Sequence, residues 1–329
     1  MNWQGKKVLV TGAGGFIGSH LVDRLVDIGA DVTAFVHYNS GNDWGMLEEN
    51  YSGKEDSISV VPGDIADGFA VDDAVSGNDY VFHLAALIGI PYSYVAPESY
   101  VNTNIKGTLN IMQACRRHDV ERVIHTSTSE AYGTAIYTPI DEKHPLQGQS
   151  PYSATKIGAD KIAESYFCSF ELPVSTIRPF NTFGPRQSAR AVIPTIISQA
   201  LCSDRISLGS LAPVRDMNFV YDTVNGFMKM AESDKSIGMT INVGTGRGVT
   251  IGDIADIILK KINPDAEIIC RDERVRPENS EVMELICDSS LAGEIIGWTP
   301  EYTLEQGLDI TIDWIRKNIG SYKTSRYVI

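Results

Sequence analysis

The apolar run Val8-Leu9-Val10 passes into Gly12-x-x-Gly15-x-x-Gly18 and then into an amphipathic stretch. This strand–turn–helix junction constrains the fold more than any other segment. Glycines at that spacing permit a tight turn and a close backbone approach, while the following helix directs its unpaired N–H groups into the turn. A strand that runs straight into a helix returns to its sheet by a crossover, so its neighbour is parallel. The rhythm then repeats. Residues 7–11, 31–36, 58–63, 80–85, 121–127 and 174–179 read as strands, and 17–28, 99–117 and 151–170 as helices. Beyond residue 181 the pattern loosens. Helices are expected at 191–202, 223–231, 251–261 and 303–317, with strands at 240–243 and 267–276. The alternation predicts an α/β fold, a Rossmann-type doubly wound parallel sheet over residues 1–180. Residues 181–329 are expected to form mainly a smaller substrate-binding lobe, with some segments returning to the sheet.

A net charge of −14 over 329 residues argues against a nucleic-acid partner, so an anionic ligand must be met by local basic side chains. No apolar run approaches membrane-spanning length, and the opening residues lack a signal-peptide pattern; a cytoplasmic protein is expected. Cys115, Cys168, Cys202, Cys270 and Cys287 show no metal-ligand spacing, which predicts reduced thiols and no metal.

After a first strand, the glycine turn Gly12, Gly15 and Gly18 predicts a dinucleotide with its pyrophosphate at the helix N-terminus. The second strand ends Val36-His37-Tyr38-Asn39-Ser40, without the acid that would bind ribose hydroxyls. His37 and Ser40 fit a 2′-phosphate or a polar loop, so NAD and NADP both stay open. Asp64-Ile65 fit either an adenine contact or a strand-end cap. Further along, Tyr152 and Lys156 share one helical face. A nearby ammonium and an oxidised nicotinamide would lower the tyrosine pKa, making it a base for alcohol oxidation. Thr128 is expected to hydrogen-bond the oxidised oxygen, and Glu130 to make a second proton transfer.

These motifs do not stand alone. His83-Leu84-Ala85-Ala86, Asn104-Ile-Lys-Gly107-Thr, Arg178-Pro-Phe-Asn181-Thr-Phe-Gly-Pro-Arg186, Arg215-Asp216-x-x-Phe219-Val-x-Asp222 and Gly297-Trp298-x-Pro300 accompany them. Along essentially its whole length the chain resembles the extended short-chain dehydrogenase/reductases that remodel nucleotide sugars. The segments 85–94 and 179–194 look most like the legionaminic-acid-pathway 4,6-dehydratases. That resemblance implies cofactor contacts from Gly12, Gly15, Phe16, Ile17, Gly18, His37, Ser40, Asp64, Ile65, Leu84, Ala85, Ala86, Asn104, Thr126, Tyr152, Lys156 and Pro179. It implies catalysis by Thr128, Ser129, Glu130, Tyr152 and Lys156. Substrate contacts are expected from Ser93, Asn181, Arg186, Arg215 and Arg276, although Arg186 and Arg190 fit a lobe interface equally.

The implied reaction takes UDP- or GDP-linked N-acetylglucosamine to its 4-keto-6-deoxy form: C4 oxidation, loss of water across C5 and C6, and hydride return, with a tightly bound cofactor regenerated each cycle. A 4-epimerase or a UDP-glucuronate-type decarboxylase would share the first step. A non-catalytic redox sensor would need no Thr128, Tyr152 and Lys156. The resemblance also implies a homodimer through helices 99–117 and 151–170, whose apolar faces fit an ordinary core as well.

Overall fold

The computed structural model describes residues 1–53 and 57–323. Strands β1 (Lys7–Thr11), β2 (Asp31–His37), β3 (Ser59–Gly63), β4 (Tyr80–His83), β5 (Arg122–Thr126) and β6 (Val174–Pro179) alternate with helices. The second half adds β7 (Asn181–Phe183), β8 (Arg205–Leu208), β9 (Val214–Phe219), β10 (Thr240–Val243), β11 (Gly248–Thr250), β12 (Glu267–Cys270) and β13 (Glu284–Leu285). Among the described residues, seven strands form one parallel sheet in the order β10-β6-β5-β4-β1-β2-β3. This is the expected Rossmann-type sheet, with chain order reversing between β1 and β4.

Both faces of the sheet are covered. In β1, Val8 and Val10 point into one apolar cluster and Leu9 into the other, as the two-residue strand period requires. The Phe16–Asp27 helix packs with the former and the Gly107–Arg117 helix with the latter. β10 returns from the second half to the sheet edge beside β6. The remaining strands build small sheets around β9, which pairs with β7, β11 and β13, while β12 pairs with β8.

Two of the expected elements are divided or cut short, and further elements, β7, β8, β9, β11 and β13 among them, were not expected. The single helix expected over 99–117 is Pro97–Tyr100, a wide π turn Val101–Lys106 and Gly107–Arg117. Gly107 lies against Ile65, where a Cβ would come within 2.8 Å of Ile65 Cγ2. The strand expected over 267–276 stops at Cys270, because its partner β8 ends at Leu208 and the chain turns at Asp272–Arg274. Among the described residues no helix is long and apolar enough to cross a membrane.

Two of the sequence motifs meet in the second half. Asp222 accepts hydrogen bonds from the Glu301 and Tyr302 N–H groups, and its carbonyl accepts from the Trp298 indole at 2.9 Å. Trp298 is 1% exposed. Trp298→Ala removes both its packing and the indole bond, and is expected to cost about 3–5 kcal/mol. Urea unfolding measures this; a loss below about 1 kcal/mol would show that the cavity collapses without penalty.

Candidate functional site

The glycine turn has no room for side chains. Gly12 has a φ of +69°, and a Cβ there would lie 2.8 Å from the Ala85 N at the end of β4. On Gly18 a Cβ would lie 2.2 Å from the Gly12 carbonyl oxygen, and on Gly14 2.5 Å from that of Trp44. Gly15 caps the Phe16–Asp27 helix without a side-chain bond, leaving its first N–H groups to the turn. Thr11 Oγ1 accepts from the Leu84 and Ala85 N–H groups, both at 3.1 Å, which ties the ends of β1 and β4 together.

The cleft lies at the C-terminal ends of these strands, where chain order reverses. Phe16 and Ile17 begin the helix on one side; Leu84, Ala85 and Ala86, each half-buried, follow β4 on the other. Thr126 Oγ1, at the end of β5, is buried with no hydrogen-bond partner. Pro179 ends β6 beside Val243. A side-chain-free cradle, an uncapped helix start and an unpartnered hydroxyl fit a dinucleotide. At the rim, His37 and Ser40 are exposed. Asp64 Oδ1 caps the Ala66 N–H at 2.9 Å, and Ile65 is buried against Gly107. Asn104 is fully engaged within the protein: its amide exchanges bonds with the Leu87 backbone and donates to Thr155 Oγ1. The π turn carries this side chain, so it fastens the loop after β4 to the Pro151–Phe170 helix.

Tyr152 and Lys156 occupy the first turns of that helix, which Ser150 and Ser153 start with a reciprocal capping box. Both are buried, as are Ser129 and Glu130 after β5. The Glu130 N–H donates to Thr128 Oγ1 at 3.3 Å. Burial raises the Tyr152 hydroxyl above its ordinary value, a hydrogen bond with Thr128 opposes this, and the Glu130 charge adds to it. The net shift is therefore upward, opposite to the lowering expected from Lys156. Lys156 Nζ instead donates to the Thr126 carbonyl at 2.6 Å. Burial draws the Lys156 ammonium down to about 8, against the pull of Asp160.

A buried charged network beneath the site escaped the motif reading. Asp160 follows Lys156 by one helical turn and accepts from Arg178 Nη2 at 2.7 Å, from Ser127 Oγ, and from His125 Nε2 at 3.0 Å. Burial works against its charge, but His125, Arg178 and Lys156 together hold the carboxyl well below the usual range. The signal available was an acid one turn beyond the lysine, on the same face.

The substrate candidates separate. Arg215 and Arg276 converge on Glu281, and Arg215 also lies in the field of Glu130. Asn181 starts β7 with its Oδ1 buried and unpartnered. Ser93 is buried, with its hydroxyl donating to the Ile90 carbonyl. Arg186 is engaged elsewhere: its guanidinium, buried and flanked by two acids, pairs with Asp23 at 2.8 Å and Glu49 at 3.1 Å. Arg190 instead extends toward Gly89 and Tyr100. Among the described residues no group of three or more His, Cys, Asp or Glu side chains is placed to hold a metal ion.

The profile of the GDP-mannose 4,6-dehydratase family matches residues 9–311. The chain belongs to that family. It is an enzyme of the extended short-chain dehydrogenase/reductases, in the NAD-dependent epimerase/dehydratase group that acts on nucleotide sugars. A UDP-glucose 4-epimerase of Mycolicibacterium smegmatis is 32% identical over 316 residues, covering 94% of this chain and 98% of that protein. DesIV, the dTDP-glucose 4,6-dehydratase of Streptomyces venezuelae solved with NAD bound, superposes with a TM-score of 0.85 at 26% identity, covering 97% of this chain and 100% of that one. The UDP-N-acetylglucosamine 4-epimerase of Methanobrevibacter ruminantium gives 0.85 at 31% identity, covering 96% and 99%.

Lys156 makes a titration prediction. Its folded-state pKa of about 8 lies below the unfolded 10.5, so the unfolded chain binds the proton more tightly. Its contribution to stability therefore rises as pH increases from about 8 to 10.5. In the cofactor-free protein, the unfolding free energy of wild type minus that of Lys156→Met should grow across this window. A pH-independent difference would refute the shift.

Proposed function

We propose that this enzyme is a nucleotide-sugar 4,6-dehydratase acting on UDP- or GDP-linked N-acetylglucosamine, with most substrate contacts supplied by residues 181–329. The observation that carries this reading is Glu130, a buried carboxylate whose charge acts on both Tyr152 and Arg215. A simple oxidation needs no second base there. NAD or NADP would lie along the glycine cradle, against Leu84–Ala86 and Thr126, with Lys156 at the nicotinamide ribose. When bound, its oxidised nicotinamide supplies a hydride acceptor for C4, a positive charge beside Tyr152, and later the hydride for C6.

Tyr152 takes the C4 hydroxyl proton, with Thr128 hydrogen-bonding the same oxygen. The C4 ketone acidifies C5–H, because the carbanion delocalises onto the carbonyl, and Glu130 removes that proton. The C6 hydroxyl departs as water after receiving a proton from Glu130, directly or through Ser129. Loss of water leaves a 4-keto-5,6-ene. The hydride from C4 would be returned at C6, and C5 takes up the proton that Tyr152 received from the C4 hydroxyl, which restores the tyrosine and gives the 4-keto-6-deoxy form. Asn181 would hydrogen-bond the sugar, while Arg215 and Arg276 would meet the diphosphate. The likeness to UDP-glucose and UDP-N-acetylglucosamine 4-epimerases favours a second reading, in which the C4 ketone is reduced from its other face.

Mass spectrometry of enzyme incubated separately with UDP- and GDP-N-acetylglucosamine decides between them. Loss of one water is expected from one of the two; an unchanged mass with an inverted C4 centre in the NMR spectrum would replace dehydration by epimerisation. Glu130→Gln should slow water loss by about 10²–10⁴-fold while C4 oxidation, read as reduced-cofactor absorbance, persists. Tyr152→Phe should abolish both. Full turnover by Glu130→Gln would remove the proposed base.

The homodimer implied by resemblance would use the segment 99–117 and the Pro151–Phe170 helix, where Val101, Leu109 and Phe170 are 46%, 39% and 45% exposed. Light scattering on the eluting protein tests this, and a monomer at micromolar concentration would refute it.

A further inference from the structure

Arg215 and Arg276 reach the same carboxylate oxygen. Arg215 Nη2 lies 3.3 Å and Arg276 Nη1 3.4 Å from Glu281 Oε1, with side-chain exposures of 6%, 28% and 16% for Arg215, Arg276 and Glu281. Independent contacts hold the three in place. Arg215 sits in β9 opposite Leu285 of β13, a short way beyond Glu281. Ser280 Oγ meets the Tyr94 hydroxyl at 2.6 Å, and Thr134 Oγ1 reaches the Glu281 carbonyl. The segment carrying Arg276 and Glu281 is therefore fastened beside the Ile90–Val95 helix and the loop after Glu130.

Two guanidinium groups sharing one carboxylate leave a single net positive charge. A diphosphate that engages both arginines brings two negative charges to the place where the glutamate already sits, and like charges there repel. A tethered carboxylate also competes at high effective concentration. An anion that engages one guanidinium gains little by displacing it, whereas a diphosphate can replace both contacts together.

We propose that Glu281 is an internal stand-in for the substrate's diphosphate. It keeps Arg215 and Arg276 convergent and charge-balanced before binding, and it gives up its Oε1 contacts when a nucleoside diphosphate arrives. The inference rests on the reading of the two arginines as diphosphate ligands.

Calorimetric titration of the cofactor-loaded enzyme with UDP, GDP, UMP and GMP tests it, using wild type, Glu281→Gln, Glu281→Ala and Arg276→Ala, with folding checked by circular dichroism. Both Glu281 variants should bind the preferred diphosphate about tenfold more tightly at low salt. The gain should shrink as salt rises and be smaller for the matching monophosphate. Unchanged or weaker diphosphate binding by folded Glu281 variants would overturn the stand-in role. Equal weakening of mono- and diphosphate would instead make Glu281 a nucleoside contact and also overturn it. Failure of the underlying reading looks different: Arg276→Ala would bind the diphosphate as wild type does, or wild type would bind neither UDP nor GDP.

Discussion

The ion pair between Asp160 and Arg178 supports the rest of the site. It is buried, and it joins the Pro151–Phe170 helix to β6, while Ser127 and His125 bring in the end of β5. Arg178 passes the connection to Tyr132, whose hydroxyl donates to Asn242 in β10. One carboxylate therefore fixes the helix bearing Tyr152 and Lys156 against the strands that lead to Thr128 and Asn181. Removing one partner of a buried pair leaves an uncompensated charge, commonly at a cost of about 3–5 kcal/mol. Both members sit directly behind the chemistry, so stability and the placement of reacting groups are hard to separate here.

The electrostatic consequences follow from burial. Lys156 is drawn toward neutrality and Tyr152 held protonated by the same low-dielectric surroundings. Neither shift alone makes a base. Thr128 and Asp160 act in the opposite direction, each stabilising the charged form of its neighbour. The site is thus poised by the protein, and the positive charge of an oxidised nicotinamide is what the family's chemistry adds to it.

Much of the sheet was legible because its strands are apolar runs separated by helical periodicity; β1, β6 and β10 and the Pro151–Phe170 helix have the expected limits. β9 was not, since its Arg215, Asp216 and Asn218 are buried polar residues in a strand. Asp216 alone accepts from Thr245, Gly246 and Cys287, bonds that join distant segments and leave no periodic trace. Arg186 shows the same limit from the other side. Its motif places it near the substrate lobe, but only the fold reveals Asp23 and Glu49 beside it. The Tyr152/Lys156 spacing was readable because one helix carries both; the Glu281 bridge depends on a return of the chain that no local pattern encodes.

The wide turn at Val101–Lys106 carries a consequence for how chain length is tolerated. In a regular α-helix one extra residue rotates everything after it by about 100°, whereas a wide π turn takes up the extra residue within the turn itself. The helix beyond it therefore keeps its register, with Ile111, Met112 and Cys115 facing the core and Leu109 facing outward. Tightening the turn to ordinary pitch at the present chain length would swing those apolar side chains off the sheet. Removing one residue along with the wide turn would leave that face in place, and what it would lose is the placement of the Asn104 amide on the Leu87 backbone. The extra residue is thus held by the side chain the turn carries rather than by the span the helix crosses.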